Sequence, residues 1–535
     1  MDRTEQESSS SQRTGEAPSV STDEARRHFL GNAVSNLAFF LFNIATSFAM
    51  VPYQISHLGL ANYGMVTLAL SFTMYTQVLT VVLTTTLFRF VVIHVARGDM
   101  NEARDYFNTQ LIATGWFIAI FLPISCVVSY YTPRFLQIPA GQSWNTRILF
   151  VAMYVSFLIS LGANPFRVAQ FARQRFDLGN WVQIGGQLVR YSTWIVLFST
   201  LAPALWQVGL GFVLESTFVL IVTILIFERL LPQLRPALTG FNRAKFIDMV
   251  KMGGWLVVNQ IGVILYLSVD LLIINRLLGP GAVGEYSPVL GIAIMLRGLS
   301  STMSGMITPL AISSYARHDY ETLVRHMSRA VKLVSLGMAI PLGTLCGIAA
   351  PFLVWWLGPQ AKGTYPLVWW LLAHQVITCG VEPLYSITTA ANRMAAPGIS
   401  TVLGGLLKVV LSIVLVEYTG LGYYGVAVGG FCAFILKNAF FAPWYAAYVL
   451  QRSSRPFYAA MLPALFTFGA AAAAALGLVH VLNPTDFWSL AATAFVTFGA
   501  SGLGVYYLAM DRSDRRFLND VARRGGKQPS ESAVC

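Results

Sequence analysis

Apolar stretches of about 20 residues recur along the whole chain, separated by short polar connections. That pattern restricts the fold more than any motif does. A backbone in hydrocarbon must satisfy its N–H and C=O groups internally, so runs of this length read as spanning α-helices. Only 11% of the 535 residues are charged and 55% are hydrophobic, whereas soluble domains carry roughly 25% charged residues. We lay out 14 spans, near 30–52, 62–88, 107–130, 147–168, 180–202, 207–228, 253–277, 284–312, 329–351, 365–390, 398–418, 424–448, 458–482 and 486–509.

The net charge of +12 is spread over short loops and forms no basic face, which argues against nucleic acid. It fits topology instead. With the N-terminus inside, one face takes most of the cations, among them Arg26, Arg27, Arg97, Arg104, Arg167, Arg173, Arg175, Arg243, Lys251, Arg317, Lys332 and Arg455. The other face holds only Arg134, Arg147, Arg276 and Lys362. This bias predicts that both termini are cytoplasmic. Residues 1–28 are polar and Ser-rich and read as a disordered cytoplasmic tail, and residues 511–535 read as a cytoplasmic C-terminal tail. No cysteine falls in a metal or disulfide pattern. There is no P-loop, no catalytic constellation and no sign of a cofactor, so the chain does not read as an enzyme.

The segment LGLANYG at Leu58 to Gly64 returns as LGPGAVG at Leu278 to Gly284, and ARGD at Ala96 to Asp99 returns as ARHD at Ala316 to Asp319. Both pairs are 220 residues apart. Two matches at one offset point to a duplicated membrane unit, as in secondary transporters whose substrate site lies where the copies meet. The expected plan is an N-lobe at 29–228, a cytoplasmic linker at 229–252, a C-lobe at 253–448, two additional spans at 449–510, and the tails. The alanine run Ala470 to Ala475 is expected to let span 13 pack closely.

Ionisable residues inside spans are costly and therefore functional candidates. Arg190 and Glu215 lie at ~15 and ~18 Å above the cytoplasmic helix ends, counted at 1.5 Å per residue; they can pair within the N-lobe, or Arg190 can contact the substrate in the cavity. In the C-lobe, Lys437, Arg297 and Lys408 fall at ~10, ~12 and ~15 Å by the same count. Asp270 lies nearer the outer face and Glu382 nearer the inner one. The three cations are thus expected to lack acids at their own depth and to hold an anion such as a diphosphate. Asp270, Glu215 and Glu382 are candidates for ion or proton coupling. Asn36 and Asn43, seven apart on span 1, share a helical face. Together with Asn259, Gln260 and Gln77 (the repeat-equivalent of Arg297), they could line a hydrated cavity or bond between helices. His374 reads as a satisfied interior histidine.

Residues 32–79, followed by Arg89 and ARGDMNEARDYFNT, resemble the start of the polysaccharide repeat-unit flippases, the Wzx-type oligosaccharide flippases of the MOP superfamily. The likeness is carried by VPYxIxxLGxxxYG at Val51 to Gly64, by Arg89 closing span 2, and by the A-x-GD turn at Ala96 to Asp99. It implies an all-α polytopic membrane protein of two six-helix lobes with a central cavity, to which Arg89 is added as a substrate contact. It implies the bacterial inner membrane and a polyprenyl-diphosphate-linked oligosaccharide as cargo for O-antigen, capsule or exopolysaccharide biosynthesis. A polysaccharide polymerase and glycosyltransferases are candidate partners. Two other readings are a multidrug or cation antiporter of the related extrusion family, which an acid-rich cavity would favour, and a membrane glycan polymerase or transferase.

Overall fold

The computed structural model describes residues 22–237, 240–305, 307–512 and 514–516. Among these there is no strand. Eleven helices are long and apolar enough to cross a membrane, or twelve if the bent pair Val257–Leu267 and Asp270–Leu278 is one span. Two further long helices, Leu60–Ala96 and Phe176–Thr200, stand where the second and fifth spans are expected. The first helix begins at Thr22, inside the stretch assigned to the N-terminal tail. Residues 1–21 and 517–535 of the two tails lie outside the described residues.

Both repeated motifs have a structural origin. Gly59 and Gly279 follow the helices Thr22–Leu58 and Asp270–Leu278 with φ of 80° and 90°, the conformation glycine adopts without steric penalty after a helix. The second glycine of each motif permits close packing. A Cβ on Gly64 would strike the Pro280 carbonyl and the Gly284 nitrogen, and one on Gly284 would strike the Leu60 carbonyl. The contact is reciprocal at the 220-residue offset, so the two motifs pack backbone to backbone against each other. In the second motif, Gly98 and His318 both have positive φ, 77° and 59°. The next residue caps a helix in each copy: Asp99 accepts from Glu102 N at 3.2 Å and Asp319 from Thr322 N at 3.0 Å.

Because backbone rather than a flexible side chain fills the space at Gly64 and Gly284, neither site can relax around a methyl group. Gly284→Ala is expected to cost at least about 1–3 kcal/mol and to lower the monodisperse fraction in size-exclusion chromatography. Gly281→Ala, next to open space, should behave as wild type. Equal profiles for the two variants would refute the close approach.

The chain divides into two compact units. The N-terminal unit comprises residues 1–47, 79–130 and 148–254. In it the first helix is joined to Phe176–Thr200 by a polar ladder. Asn180 Nδ2 donates to Asn36 Oδ1 at 2.9 Å, and Gln187 Nε2 donates to Asn43 Oδ1 at 3.0 Å. The connection after Leu230 is pinned to the start of Met100–Phe135. Lys245 pairs with Glu102 and Asp105 at 2.9 and 2.8 Å, and Ala237 N donates to Asn108 Oδ1 at 3.0 Å.

The C-terminal unit comprises residues 48–78, 131–147 and 255–535. Its core is centred on Tyr320–Gly347, with Met327, Val331, Leu384, Ala446 and Phe457 buried together. The expected close packing of span 13 is seen. Gly343 and Gly347, one turn apart, face Phe468, Ala471, Ala472 and Ala475 of Arg455–Leu482, the small-residue spacing that lets membrane helices approach closely.

Candidate functional site

Span 7, expected to be continuous, is broken. Its two halves meet at Ser268–Val269 with a 44° bend. A break frees carbonyls that the helix would otherwise use, and in hydrocarbon these need partners. Lys408 supplies one. Its Nζ donates to the Tyr266 carbonyl at 2.9 Å and pairs with Asp270 Oδ1 at 2.6 Å. Tyr286 Oη donates to the other carboxylate oxygen at 3.0 Å. Both charged side chains are 3% exposed. Lys408 thus closes the break from the neighbouring helix Ala395–Thr419.

This overturns two expectations. Lys408 does not lack an acid at its own depth, and Asp270 is not remote from it. The depth count assumes a straight seventh span and ignores the reach of the lysine chain. Arg297 is likewise not without an acid: Glu382 Oε1 lies 3.9 Å from its Nε. Glu382 occupies a 3-10 turn, Glu382–Leu384, where Pro383 interrupts the tenth span. It is held by Ser300 Oγ at 3.1 Å and Ser301 Oγ at 3.4 Å. The Arg297–Glu382 pair is loose, and Arg297 remains 24% exposed.

Lys437 differs from the others. No described carboxylate pairs with it. Its Nζ donates to Thr401 Oγ1 at 2.8 Å and lies 4.8 and 5.5 Å from the ring centres of Tyr266 and Tyr385. It sits in a π-helical turn, Leu436–Phe441, an insertion often found at functional positions. Asn438, next in that turn, is buried. It donates to Tyr266 Oη at 2.9 Å and accepts from Tyr385 Oη at 3.2 Å. The Arg297 guanidinium lies 6.0 Å from the same Tyr266 ring. Two cations therefore share one aromatic ring, one loosely paired and one with only a hydroxyl. Like charges so placed repel, and an anion between them would relieve the cost.

A narrow cavity of about 30 Å³ adjoins this cluster, lined by Arg297, Lys408, Asp270, Tyr266 and His374. It has room for a water and not for a glycan. His374 is buried and stacks on Phe434 at 4.5 Å, with Thr378 Oγ1 3.3 Å from Nδ1, as a satisfied interior histidine would. In the N-terminal unit, Arg190 and Glu215 form the expected pair at 2.8 Å, with Tyr191 and Phe212 against the guanidinium. Asn36 and Asn43 take the interhelical option. Arg89 and Asn259 are exposed and Gln260 is partly buried, and neither Asn259 nor Gln260 joins the cluster just described. The Gln77 side chain lies outside the described residues. Sequence reasoning missed Thr401, Tyr266, Tyr385 and Asn438, which carry no charge and are ordinary in apolar runs.

An all-helical polytopic chain with a broken span and buried ion pairs has the build of a membrane transport protein. Residues 29–311 match the family described as "Polysaccharide biosynthesis protein", and the chain belongs to that family. A relative from Bacillus subtilis (strain 168), described as "Uncharacterized membrane protein EpsK", is 28% identical over 490 residues, covering 92% of this chain and 97% of its own. Among solved structures, a lipid II flippase, MurJ, in an inward closed conformation matches with a TM-score of 0.60 at 14% identity, over 87% of this chain and 98% of that one. An inward-facing multidrug resistance MATE transporter of the MOP superfamily matches at 0.58 and 15% identity, over 79% and 99%. These likenesses show the MOP-type fold. The family is thus one of polysaccharide biosynthesis, and the fold is the one shared by that lipid II flippase and that multidrug transporter.

Proposed function

We propose that the protein moves a polyprenyl-diphosphate-linked oligosaccharide across the bacterial cytoplasmic membrane, with both termini cytoplasmic and 14 spans. The observation that carries this reading is the Lys437–Arg297 arrangement around Tyr266. It is an under-neutralised cationic site within the membrane, in a member of a polysaccharide biosynthesis family. A diphosphate supplies multiple negative charge and many acceptor oxygens, and Lys and Arg are its natural partners. Lys408 does something else, acting as the strut of the broken seventh span. Glu382 is the competitor for Arg297. When a diphosphate takes the guanidinium, the carboxylate is released to bind a proton or another cation, which gives coupling a physical route. Asp270 is committed to Lys408 and leaves that role to Glu382.

The test is leaflet accessibility. Purified protein in proteoliposomes should let a fluorescent polyprenyl-diphosphate oligosaccharide, introduced in one leaflet, become accessible from the other within minutes. Exchange no faster than in protein-free vesicles, both with and without proton or sodium gradients, would rule the reading out. The acid pairs argue against a cationic-drug antiporter, because Asp270 and Glu215 are each neutralised by a cation of the chain itself.

A further inference from the structure

A cavity of about 300 Å³ opens in the N-terminal unit, lined by Asn36, Arg167, Gln170, Asn180, Gln183 and Thr223. Its chemistry is unlike that of the C-terminal cluster. Three arginines come to this end of the unit. Arg173 donates to the Leu230 carbonyl at 3.3 Å, and Arg175 forms a two-point pair with Asp177 at 2.9 and 3.0 Å. Arg167, which lines the cavity, has no side-chain partner among the described residues. It sits in the 3-10 turn Pro165–Arg167, where Pro165 interrupts the fourth span. A guanidinium left there presents its whole donor fork to whatever enters.

The carboxamides complete the set. Asn180 spends both N–H groups, donating to Ser35 Oγ at 3.0 Å and to Asn36 Oδ1 at 2.9 Å. Its carbonyl oxygen therefore remains as an acceptor, and the Asn36 amino group remains as a donor. Gln170 is only 7% exposed and, like Gln183, has no described side-chain partner. Both carboxamides face the cavity, so water or an entering ligand supplies their hydrogen bonds. Gly179 makes room for Gln170, since a Cβ there would come within 2.8 Å of Gln170 Oε1. The walls thus offer one strong cationic fork together with mixed donors and acceptors. Neutral carboxamides suit hydroxyl groups, and the fork suits phosphate. The volume is at the small end for a ligand site, enough for one sugar ring with its phosphate and too small for an oligosaccharide. At the rim, Phe171 and Phe176 are exposed and meet edge-to-face at 5.1 Å, an apolar lip of the kind that suits a prenyl chain.

We infer that this cavity is a second binding site, one that takes the phosphate-proximal sugar of a prenyl-linked glycan, with Arg167 on the phosphate and the carboxamides on the hydroxyls. The choice of a prenyl-linked source rests on the proposed function; the preference for a sugar phosphate rests on the cavity alone.

The experiment measures binding to the full-length protein in nanodiscs by calorimetry. Its probes are glucose 1-phosphate, inorganic phosphate, glucose, and a short-chain prenyl-diphosphoglucose. Glucose 1-phosphate should bind at least tenfold more tightly than phosphate or glucose, and the prenyl-linked probe tenfold more tightly again. Arg167→Ala should weaken both sugar-phosphate probes at least tenfold, and Gln183→Leu about threefold. Gly281→Ala, which lies next to open space outside both sites, should leave glucose 1-phosphate binding unchanged. Unaltered affinity in Arg167→Ala, or in Gln183→Leu should the arginine variant not fold, overturns the site. Phosphate binding as well as glucose 1-phosphate overturns its sugar component. Glucose 1-phosphate binding as well as the prenyl-linked probe overturns the lipid source. Arg167-dependent binding without any leaflet exchange would sink the transport reading and leave the site standing.

Discussion

Lys408→Met is expected to destabilise the folded protein by about 3–5 kcal/mol, the usual cost of leaving one member of a buried pair uncompensated. Asp270 would keep only the Tyr286 hydroxyl, and the Tyr266 carbonyl would lose its donor in the middle of a broken span. Thermal unfolding in detergent and the folded yield from membranes both report this. The double variant Lys408→Met/Asp270→Asn should recover most of the loss, because it removes both charges and keeps similar volumes. That recovery separates a strut from a substrate contact. A single variant as stable as wild type but inactive in glycan transport would return Lys408 to the role assigned from its depth. The Arg190–Glu215 pair makes a useful comparison. It is less deeply buried and bridges two complete helices, so breaking it with Arg190→Met should cost less.

The architecture is legible in the sequence because its signals are local. Apolar run length marks helices, and the 220-residue repeat marks duplication. Both LG-x4-G motifs hold a helix-ending glycine and a close-approach glycine. The ion pairs are legible only as charged residues. Counting depth along straight helices places Asp270 away from Lys408, because nothing near Ser268 announces a bend. The bend is compensated by a lysine 142 residues away in sequence from the carbonyl it serves. The Pro383 interruption is readable in principle, since proline removes a helical donor. The π-helical turn at Lys437 has no comparable residue signature. On the first helix, the seven-residue spacing of Asn36 and Asn43 correctly gives one face but not its partner. The partner shows the same spacing at Asn180 and Gln187, a match between two helices that a one-helix reading does not test. Arg167 reads in sequence as one more cytoplasmic cation, and only the neighbours that satisfy Arg173 and Arg175 distinguish it.

Lys437→Ala is expected to leave the fold intact and to cut transport by roughly 10- to 100-fold. This follows from losing a charge-assisted contact with the diphosphate worth about 1.5–3 kcal/mol. The contrast with Lys408 comes from what each leaves behind. Removing Lys437 exposes a threonine hydroxyl and two tyrosine faces, none of which is a stranded charge. Lys437→Glu should abolish transport, because it sets a carboxylate against the diphosphate and beside Glu382 as a second claimant on Arg297. Lys437→Arg should retain a substantial fraction, and Thr401→Val should lose less than Lys437→Ala, since it removes the ammonium's tether and keeps the charge. Leaflet exchange of the labelled glycan and surface polysaccharide output, both at matched protein levels, give two readouts that should rank the four variants in the same order. Wild-type rates from both Lys437→Ala and Lys437→Glu would show that the substrate's phosphates never meet this site. The cationic ring around Tyr266 would then be a structural feature of the C-terminal unit, and Arg167 would be left to bear the charge of the cargo.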